Sequence, residues 1–171
     1  MSNSNSDRYL FIVDDEPIQN EMLKDYLDER YLYNVKAYES GEAAMKDMES
    51  ICPEIVVLDY HLSGSNRDAM DGVAVLKSIK EKYPETQVIM LSGQDKIEVA
   101  VDTMKYGAFD YVVKGESAFA RVENIINNAS EIHKLKMVNN SQKKSITFLV
   151  TVISLIILAS IYIFIVKPYL R

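Results

Sequence analysis

The chain has 171 residues, a net charge of −6, a single cysteine and no tryptophan. This length allows one ordinary domain with an appendage, and the acidic balance argues against non-specific nucleic-acid binding, which needs a basic surface. The lone Cys52 excludes an internal disulfide, and neither histidine lies at metal-ligand spacing from it.

The first part of the chain predicts two strands that alternate with two helices. Residues 1–7 are polar and predict a short disordered lead-in without a cleavable signal peptide. The run "YLFIVD" predicts a strand that is buried on both faces, and residues 17–31 follow as an amphipathic helix with a proline in its first turn. "YNVKAY" predicts the second strand, and Ser40 then caps a helix that extends to about residue 50.

Three further strands follow, again alternating with helices. "EIVVLDY" and "QVIMLSG" have the composition of buried strands, and a helix over 72–83 lies between them and stops before Pro84. A helix over 95–106 precedes the last strand, "AFDYVVKG", and a long helix runs from residue 117 to about Met137. Regular alternation of this kind predicts an α/β fold whose parallel sheet is covered on both faces.

Charged and polar residues stand where the predicted strands end: Asp14 and Asp15 after the first, Asp59 after the third, Ser92 after the fourth and Lys114 after the fifth. In an open parallel sheet the functional crevice lies at these carboxyl ends. Carboxylates without histidine or cysteine form a hard oxygen site that suits Mg²⁺, and the cation would offset their mutual repulsion. The pattern predicts phosphoryl transfer, with a carboxylate nucleophile, a metal and a lysine.

The stretches "FIVDDEP", "VVLDYHL", "VIMLSG" and "FDYVVKG" closely resemble the receiver domain of two-component response regulators over about residues 8–130. The strength of the resemblance lies in the order and spacing of several motifs together. It implies a flavodoxin-like doubly wound sheet of order 2-1-3-4-5 and a phosphorelay signalling switch rather than an enzyme. It also implies Mg²⁺ as the cofactor, and a histidine kinase or phosphotransfer protein as the phosphodonor.

The resemblance assigns the acidic residues to distinct tasks. Asp59 matches the phosphoacceptor of the family. Asp14 and Asp15 match the acidic pair that holds Mg²⁺ together with Asp59, and the backbone carbonyl of His61 is a further expected ligand. A carboxylate that ends a strand can also be a plain helix N-cap, so the assignment depends on the whole set rather than on any one residue.

The remaining assignments concern the phosphoryl group and the switch. Ser92 matches the hydroxyl that binds the phosphoryl group, and Lys114 matches the lysine that contacts its oxygens as a point charge. Tyr111 matches the aromatic switch residue, with a plain core aromatic as the alternative. His61 and Gln94 match variable positions that tune the lifetime of the phosphoryl group.

Two loops depart from the family pattern. The loop over residues 60–72 is about five residues longer than usual, and it is expected to be a flexible surface insertion. Gly115 follows Lys114 where the family often has a proline in a cis bond. A cis bond without proline costs about 2.5–4 kcal/mol, so this bond is expected to be trans.

The last part of the chain differs in composition from the rest. Residues 1–132 carry 13 basic and 25 acidic side chains, a net charge of −12, whereas residues 133–171 carry six basic side chains and no acidic one. Residues 146–166 are uncharged and apolar, and a helix of that length spans roughly 31 Å, the thickness of a bilayer core. They predict a transmembrane helix after a basic helical extension and tether over 133–145, with a short tail over 167–171.

The flanking charges predict the orientation of this helix. Four lysines precede the span (Lys134, Lys136, Lys143 and Lys144), against two basic residues after it, so the N-terminal side is expected in the cytoplasm. We therefore expect a receiver domain over residues 8–132, anchored at the inner membrane without an output domain of its own. It would act through an unknown downstream protein.

Two other function classes are alternatives to this interpretation. The first is a membrane-anchored scaffold that keeps the receiver fold for docking and does not switch. The second is an aspartyl-phosphate phosphatase, which uses a second aspartate two residues after the nucleophile. Here that position is His61, which argues against turnover of an external phosphoester.

Overall fold

The structure, a computed structural model, describes residues 8–62, 70–93 and 97–166. Strands and helices alternate along it, which confirms the predicted class. The elements are β1 (Tyr9–Val13), α1 (Pro17–Asp28), β2 (Asn34–Tyr38), α2 (Gly41–Met48), β3 (Ile55–Asp59), α3 (Gly72–Lys82), β4 (Gln87–Ser92), α4 (Ile97–Lys105), β5 (Asp110–Val113) and α5 (Ala118–Val166).

The five strands form one parallel sheet of order β2-β1-β3-β4-β5, which confirms the expected order. Strand side chains point alternately to the two faces, so a strand covered on both sides needs apolar residues at every position. β1 shows this directly: Leu10 and Ile12 belong to one core cluster, whereas Phe11 and Val13 belong to the other.

Different helices cover the two faces of the sheet. On one face the core includes side chains of α1 and of the first turns of α5: Leu23, Leu27, Ala118, Val122 and Ile126. On the other face it includes side chains of α2 and α3: Ala44, Met48, Val75, Leu76 and Ile79. All of these are buried, so the two layers leave the ends of the strands as the place for polar chemistry.

A polar cluster joins the amino-terminal edge of the sheet to α5. Arg8 donates to both carboxylate oxygens of Glu54 at 2.8 Å, and it also contacts the Tyr33 hydroxyl. The Ser130 hydroxyl lies 2.6 Å from that of Tyr33. Burial is the main cause that raises the pKa of Tyr33 above its ordinary value. These contacts hold the first part of α5 at the edge opposite the predicted site.

Two of the predicted elements end earlier than expected. α1 ends at Asp28 instead of Tyr31. The Tyr31 hydroxyl donates to the backbone oxygen of Glu123 at 2.9 Å, a contact with α5 that periodicity within α1 cannot reveal. β5 is confined to Asp110–Val113, because strand pairing with β4 extends only from Ile89 to Ser92.

The last helix is longer than predicted. The expected end near Met137 is wrong: α5 runs from Ala118 to Val166 as one helix. No glycine or proline occurs between Gly115 and Pro168, so nothing in the local sequence forces a break. The chain divides into two compact units, Met1–Ser130 and Glu131–Arg171.

Within the second unit, the stretch Gln142–Ile163 is long and apolar enough to cross a membrane by length and composition, and none of it is buried. Three of its hydroxyl groups form hydrogen bonds inside the helix: Thr147, Thr151 and Ser160 donate to backbone oxygens one turn earlier at 2.7–2.9 Å. The predicted lead-in (1–7) and tail (167–171) lie outside the described residues.

Candidate functional site

The strand register brings the predicted site residues to one edge of the sheet. Val13 pairs with Leu58, so Asp14 and Asp59 are the next residues of neighbouring strands. Asp59 pairs with Leu91 on β4, and Ser92 is the next residue of that strand. Its backbone oxygen accepts a hydrogen bond from the Lys114 N–H at 2.7 Å, which fixes the lysine at the same edge.

Three carboxylates meet at this edge. Asp14, Asp15 and Asp59 each offer an oxygen atom, and these atoms all lie within 4.8 Å of one another. Asp14 and Asp59 are only 3% and 4% exposed, whereas Asp15 is half-buried. The Glu16 N–H donates to Asp14 Oδ1 at 2.9 Å, which fixes that carboxylate at the start of α1.

Lys114 lies between two of the carboxylates. Its Nζ is 2.8 Å from Asp14 Oδ2 and 3.1 Å from Asp59 Oδ2. One lysine therefore faces three acidic groups, and the cluster has an excess of negative charge when all of them are ionised. A buried excess of one sign is unfavourable unless further positive charge is supplied.

The pKa shifts follow from this imbalance. Burial raises the pKa of the Asp59 carboxyl, Lys114 opposes that effect, and the Asp14 charge adds to it, so the pKa lies above its ordinary value. For Lys114, burial lowers the pKa, but the hydrogen bond to Asp14 and the charges of Asp59 and Asp14 outweigh burial and raise it. The lysine is thus held charged, while the ionised form of Asp59 is disfavoured by its surroundings.

The donor atoms fit a divalent cation. Asp59 Oδ1 is buried and has no hydrogen-bond partner among the described residues, although the same carboxyl group is bound by Lys114 through Oδ2. An ionised oxygen without a partner, beside two further carboxylates, is the kind of hard ligand set that Mg²⁺ prefers. Such a cation would also supply the positive charge that the cluster lacks.

The other predicted site residues differ in their burial and in their packing partners. Ser92 is completely buried at the end of β4, in line with the acidic edge. Tyr111 is half-buried on β5 and packs against the α2–α3 side of the core. His61 is exposed, and its ring packs edge-on against Tyr60 with centroids 4.8 Å apart. Gln94 lies outside the described residues.

The loop after Lys114 agrees with expectation in one respect. No cis peptide bond occurs in the described part of the chain, so the Lys114–Gly115 bond is trans.

Gly93 follows Ser92, and a Cβ atom at that position would meet nothing within 4 Å. The space beside the buried serine is therefore open.

Two supporting residues were missed at the level of sequence. The Asn20 side chain is buried in α1 and donates to the backbone oxygens of Asp14 at 2.6 Å and Tyr38 at 2.8 Å. A Cβ atom at Gly72 would lie 2.2 Å from the backbone oxygen of Asp59, so α3 begins directly against the end of β3. A polar residue on the apolar face of α1 was the available signal for Asn20.

The chain was compared with known proteins. The family model for the response regulator receiver domain matches residues 10–127. A response regulator of Rickettsia conorii described as NtrX-like is 34% identical over 137 residues, which cover 80% of this chain and 28% of that protein. The chemotaxis protein CheY of Listeria monocytogenes is 34% identical over 105 residues, which cover 61% of this chain and 84% of that protein.

The likeness extends to solved structures. The crystal structure of the receiver domain of NtrX from Brucella abortus superimposes with a TM-score of 0.63 at 32% identity, covering 71% of this chain and 98% of that one. Residues 10–127, which the family model matches, contain the acidic edge and nearly all of the five-stranded sheet. The chain spans little more than a quarter of the NtrX-like relative. It belongs to the response regulator receiver domain family.

Proposed function

We propose that this protein is a phosphorylation-dependent switch in which Asp59 accepts the phosphoryl group. Receiver domains are signalling domains that interact with histidine kinases or phosphotransfer proteins, and generally they are not catalytic enzymes. The observation that carries the proposal is the state of the Asp59 carboxyl. Its Oδ2 is held by Lys114 at 3.1 Å, while its Oδ1 has no partner among the described residues.

The transfer step follows from this arrangement. An oxygen of Asp59 displaces the leaving group at phosphorus, so that a P–O bond forms as the bond to the donor's histidine nitrogen breaks. Asp14, Asp15 and Asp59, with the backbone carbonyl of His61, would hold Mg²⁺, which supplies positive charge for the phosphoryl oxygens. Lys114 stays charged throughout and can contact the same oxygens. In this way the domain assists its own phosphorylation and dephosphorylation.

The switch residues form the second part of the proposal. Ser92 is fully buried and its backbone already bonds to Lys114, so a small shift of its hydroxyl would bring it to a phosphoryl group on Asp59. Tyr111 is half-buried on β5, two strands from Asp59, so its burial can increase in the same transition. His61 and Gln94 are proposed to tune the lifetime of the phosphoryl group.

The third part concerns location. We propose a receiver domain over residues 8–132, a basic helical extension over 133–145, and a single membrane-spanning helix over 146–166. The exposed apolar stretch Gln142–Ile163 supports the anchor, and the four lysines that precede residue 146 favour a cytoplasmic receiver. The phosphorylated domain would then act by binding a protein partner at the cytoplasmic membrane, where anchoring raises its effective concentration.

The phosphoacceptor is tested on the full chain in vesicles of phosphatidylethanolamine and phosphatidylglycerol. Acetyl phosphate with Mg²⁺ is expected to add one phosphoryl group, measured by intact-mass spectrometry, and chelation of Mg²⁺ should abolish the gain. Asp59→Asn should also abolish it, because the amide is not a nucleophile. Asp71→Asn is the matched control, since Asp71 only caps α3 by accepting from the Ala74 N–H at 2.7 Å and asparagine caps equally well.

The scaffold alternative makes the opposite prediction. A protein that does not switch would gain no phosphoryl group from acetyl phosphate or from a kinase. Its hydrogen-exchange pattern would also stay unchanged with Mg²⁺ and beryllofluoride, a mimic of the phosphoryl group. Both results together would replace the switch by a docking function.

The anchor is tested by extraction of membranes with alkaline carbonate. The natural chain should stay with the membrane, whereas the double variant Val150→Lys with Ile157→Lys should be released, since a lysine at the centre of the span costs about 2.5–3.5 kcal/mol of insertion. Glu98→Lys with Asp102→Lys adds lysines to exposed positions of α4 and should leave retention unchanged. Release of the natural chain by carbonate would refute the anchor.

A further inference from the structure

A continuous stripe of exposed positions runs along α5 beyond the receiver unit. Successive members are separated alternately by three and four residues, and every one of them is exposed in the structure. The stripe consists of Ile132, Leu135, Asn139, Gln142, Ile146, Leu149, Ile153, Ile156, Ser160 and Ile163.

This spacing is the a/d pattern of a coiled coil. A mean period of 3.5 residues keeps the stripe on one side of two helices that wind around each other with a left-handed twist. Inside the apolar span any face would be hydrophobic, so the informative part is the polar stretch before it. There Ile132 and Leu135 are 39% and 64% exposed, which leaves two apolar side chains in water unless another surface covers them.

The positions of the charged residues also indicate that this face of the helix is buried. Five charged residues occur between Glu131 and Lys144, and none of them falls on the stripe. Four of the 14 positions in this stretch belong to the stripe, so five charges placed without regard to it would put about one there. A face kept free of charge for four turns of a solvated helix indicates burial against another helix.

The two amides on the stripe indicate what that other helix is. Asn139 and Gln142 occupy one a and one d position, where an amide is buried in a pair of helices and needs an amide opposite it. A second copy of the chain in the same register places an identical amide at that point. Each side chain can then donate to and accept from its counterpart.

We propose that two copies of this protein pair in parallel through the stripe, from Ile132 into the membrane-spanning segment. The parallel direction rests on the proposed membrane anchor, because two copies inserted with the same orientation can only run side by side in one direction. The pair would hold two receiver domains together at the membrane surface, with the stripe beginning two residues after the receiver unit ends at Ser130.

Cysteine cross-linking of the full chain in phosphatidylethanolamine and phosphatidylglycerol vesicles tests this pairing. The natural Cys52 is first replaced by serine. Leu135→Cys on the stripe is compared with Lys134→Cys beside it, and Ile146→Cys is compared with Lys144→Cys. Mild oxidation should link about tenfold more dimer at the two stripe positions, since a disulfide needs Cβ atoms about 4 Å apart.

Equal linkage at stripe and control positions, or none at either, would overturn the pairing. Protection of Leu135→Cys from a water-soluble thiol reagent without linkage would mean that the stripe lies on the lipid surface instead. The same samples are assayed for carbonate extraction and for Mg²⁺-dependent phosphorylation. If both remain normal while linkage fails, only the pairing is wrong; loss of carbonate resistance would instead refute the anchor.

Discussion

Replacing Lys114 by alanine is expected to lower the free energy of unfolding by about 3 kcal/mol in Mg²⁺-free buffer at neutral pH, because it leaves two buried carboxylates without their cation. Nζ of Lys114 contacts both Asp14 and Asp59, which are 3% and 4% exposed. Lys105→Ala is the control: Lys105 pairs with Asp102 on the surface, where an ion pair contributes at most about 1 kcal/mol. Urea denaturation followed by the near-ultraviolet circular dichroism of tyrosine measures both variants.

Magnesium separates the electrostatic cause from a packing loss. Mg²⁺ should stabilise Lys114→Ala more than the natural protein, since a site with less positive charge binds the cation more tightly and binding to the folded state adds stability. Asp59→Asn should change the free energy of unfolding in the opposite direction in Mg²⁺-free buffer. The raised pKa of Asp59 means that its ionised form disfavours folding, so this variant should gain stability relative to the natural protein as pH rises above about 4.

An unchanged stability of Lys114→Ala, with an unchanged response to Mg²⁺, would contradict this account of the site. It would mean that the contacts of Lys114 with Asp14 and Asp59 contribute little to the stability of the fold. Slower phosphorylation of the variant is expected as well, because Lys114 contacts the carboxyl group that reacts.

Replacing Gly72 by alanine is expected to cost about 3 kcal/mol, since the added carbon overpacks a backbone contact. A Cβ atom there would lie 2.2 Å from the Asp59 oxygen and 2.7 Å from the Tyr60 oxygen, and neither can rotate away as a side chain can. The end of β3 and the start of α3 must therefore separate. Because Asp59 is the last residue of β3, the rate of phosphorylation should fall together with stability.

Gly93→Ala is the matched control for stability. A Cβ atom at Gly93 meets nothing within 4 Å, so the free energy of unfolding should change by less than about 0.5 kcal/mol. The measurement is the same urea titration as for Lys114→Ala. Equal stability of Gly72→Ala and the natural protein would show that α3 begins farther from Asp59 than the structure has it.

Much of the fold was predictable from local pattern. Strands buried on both faces must be apolar throughout, and "YLFIVD", "EIVVLDY" and "QVIMLSG" are nearly so. The acidic edge was also predictable, since the carboxyl ends of parallel strands meet at one side of the sheet and Asp14 and Asp59 stand at two of those ends. Helix ends were predicted less well, because contacts such as that of Tyr31 with α5 come from distant parts of the chain.

The sequence by itself therefore determined the class of fold, the sheet edge that carries the acidic residues, and the apolar stretch near the C-terminus. Each follows from regular spacing along the chain, which is a local property. Only the tertiary structure decided that Lys114 bridges Asp14 and Asp59, that Asp59 retains an oxygen without a partner, and that Gly72 must lack a side chain. These features depend on distances between segments that are far apart in sequence, and spacing along the chain does not encode such distances.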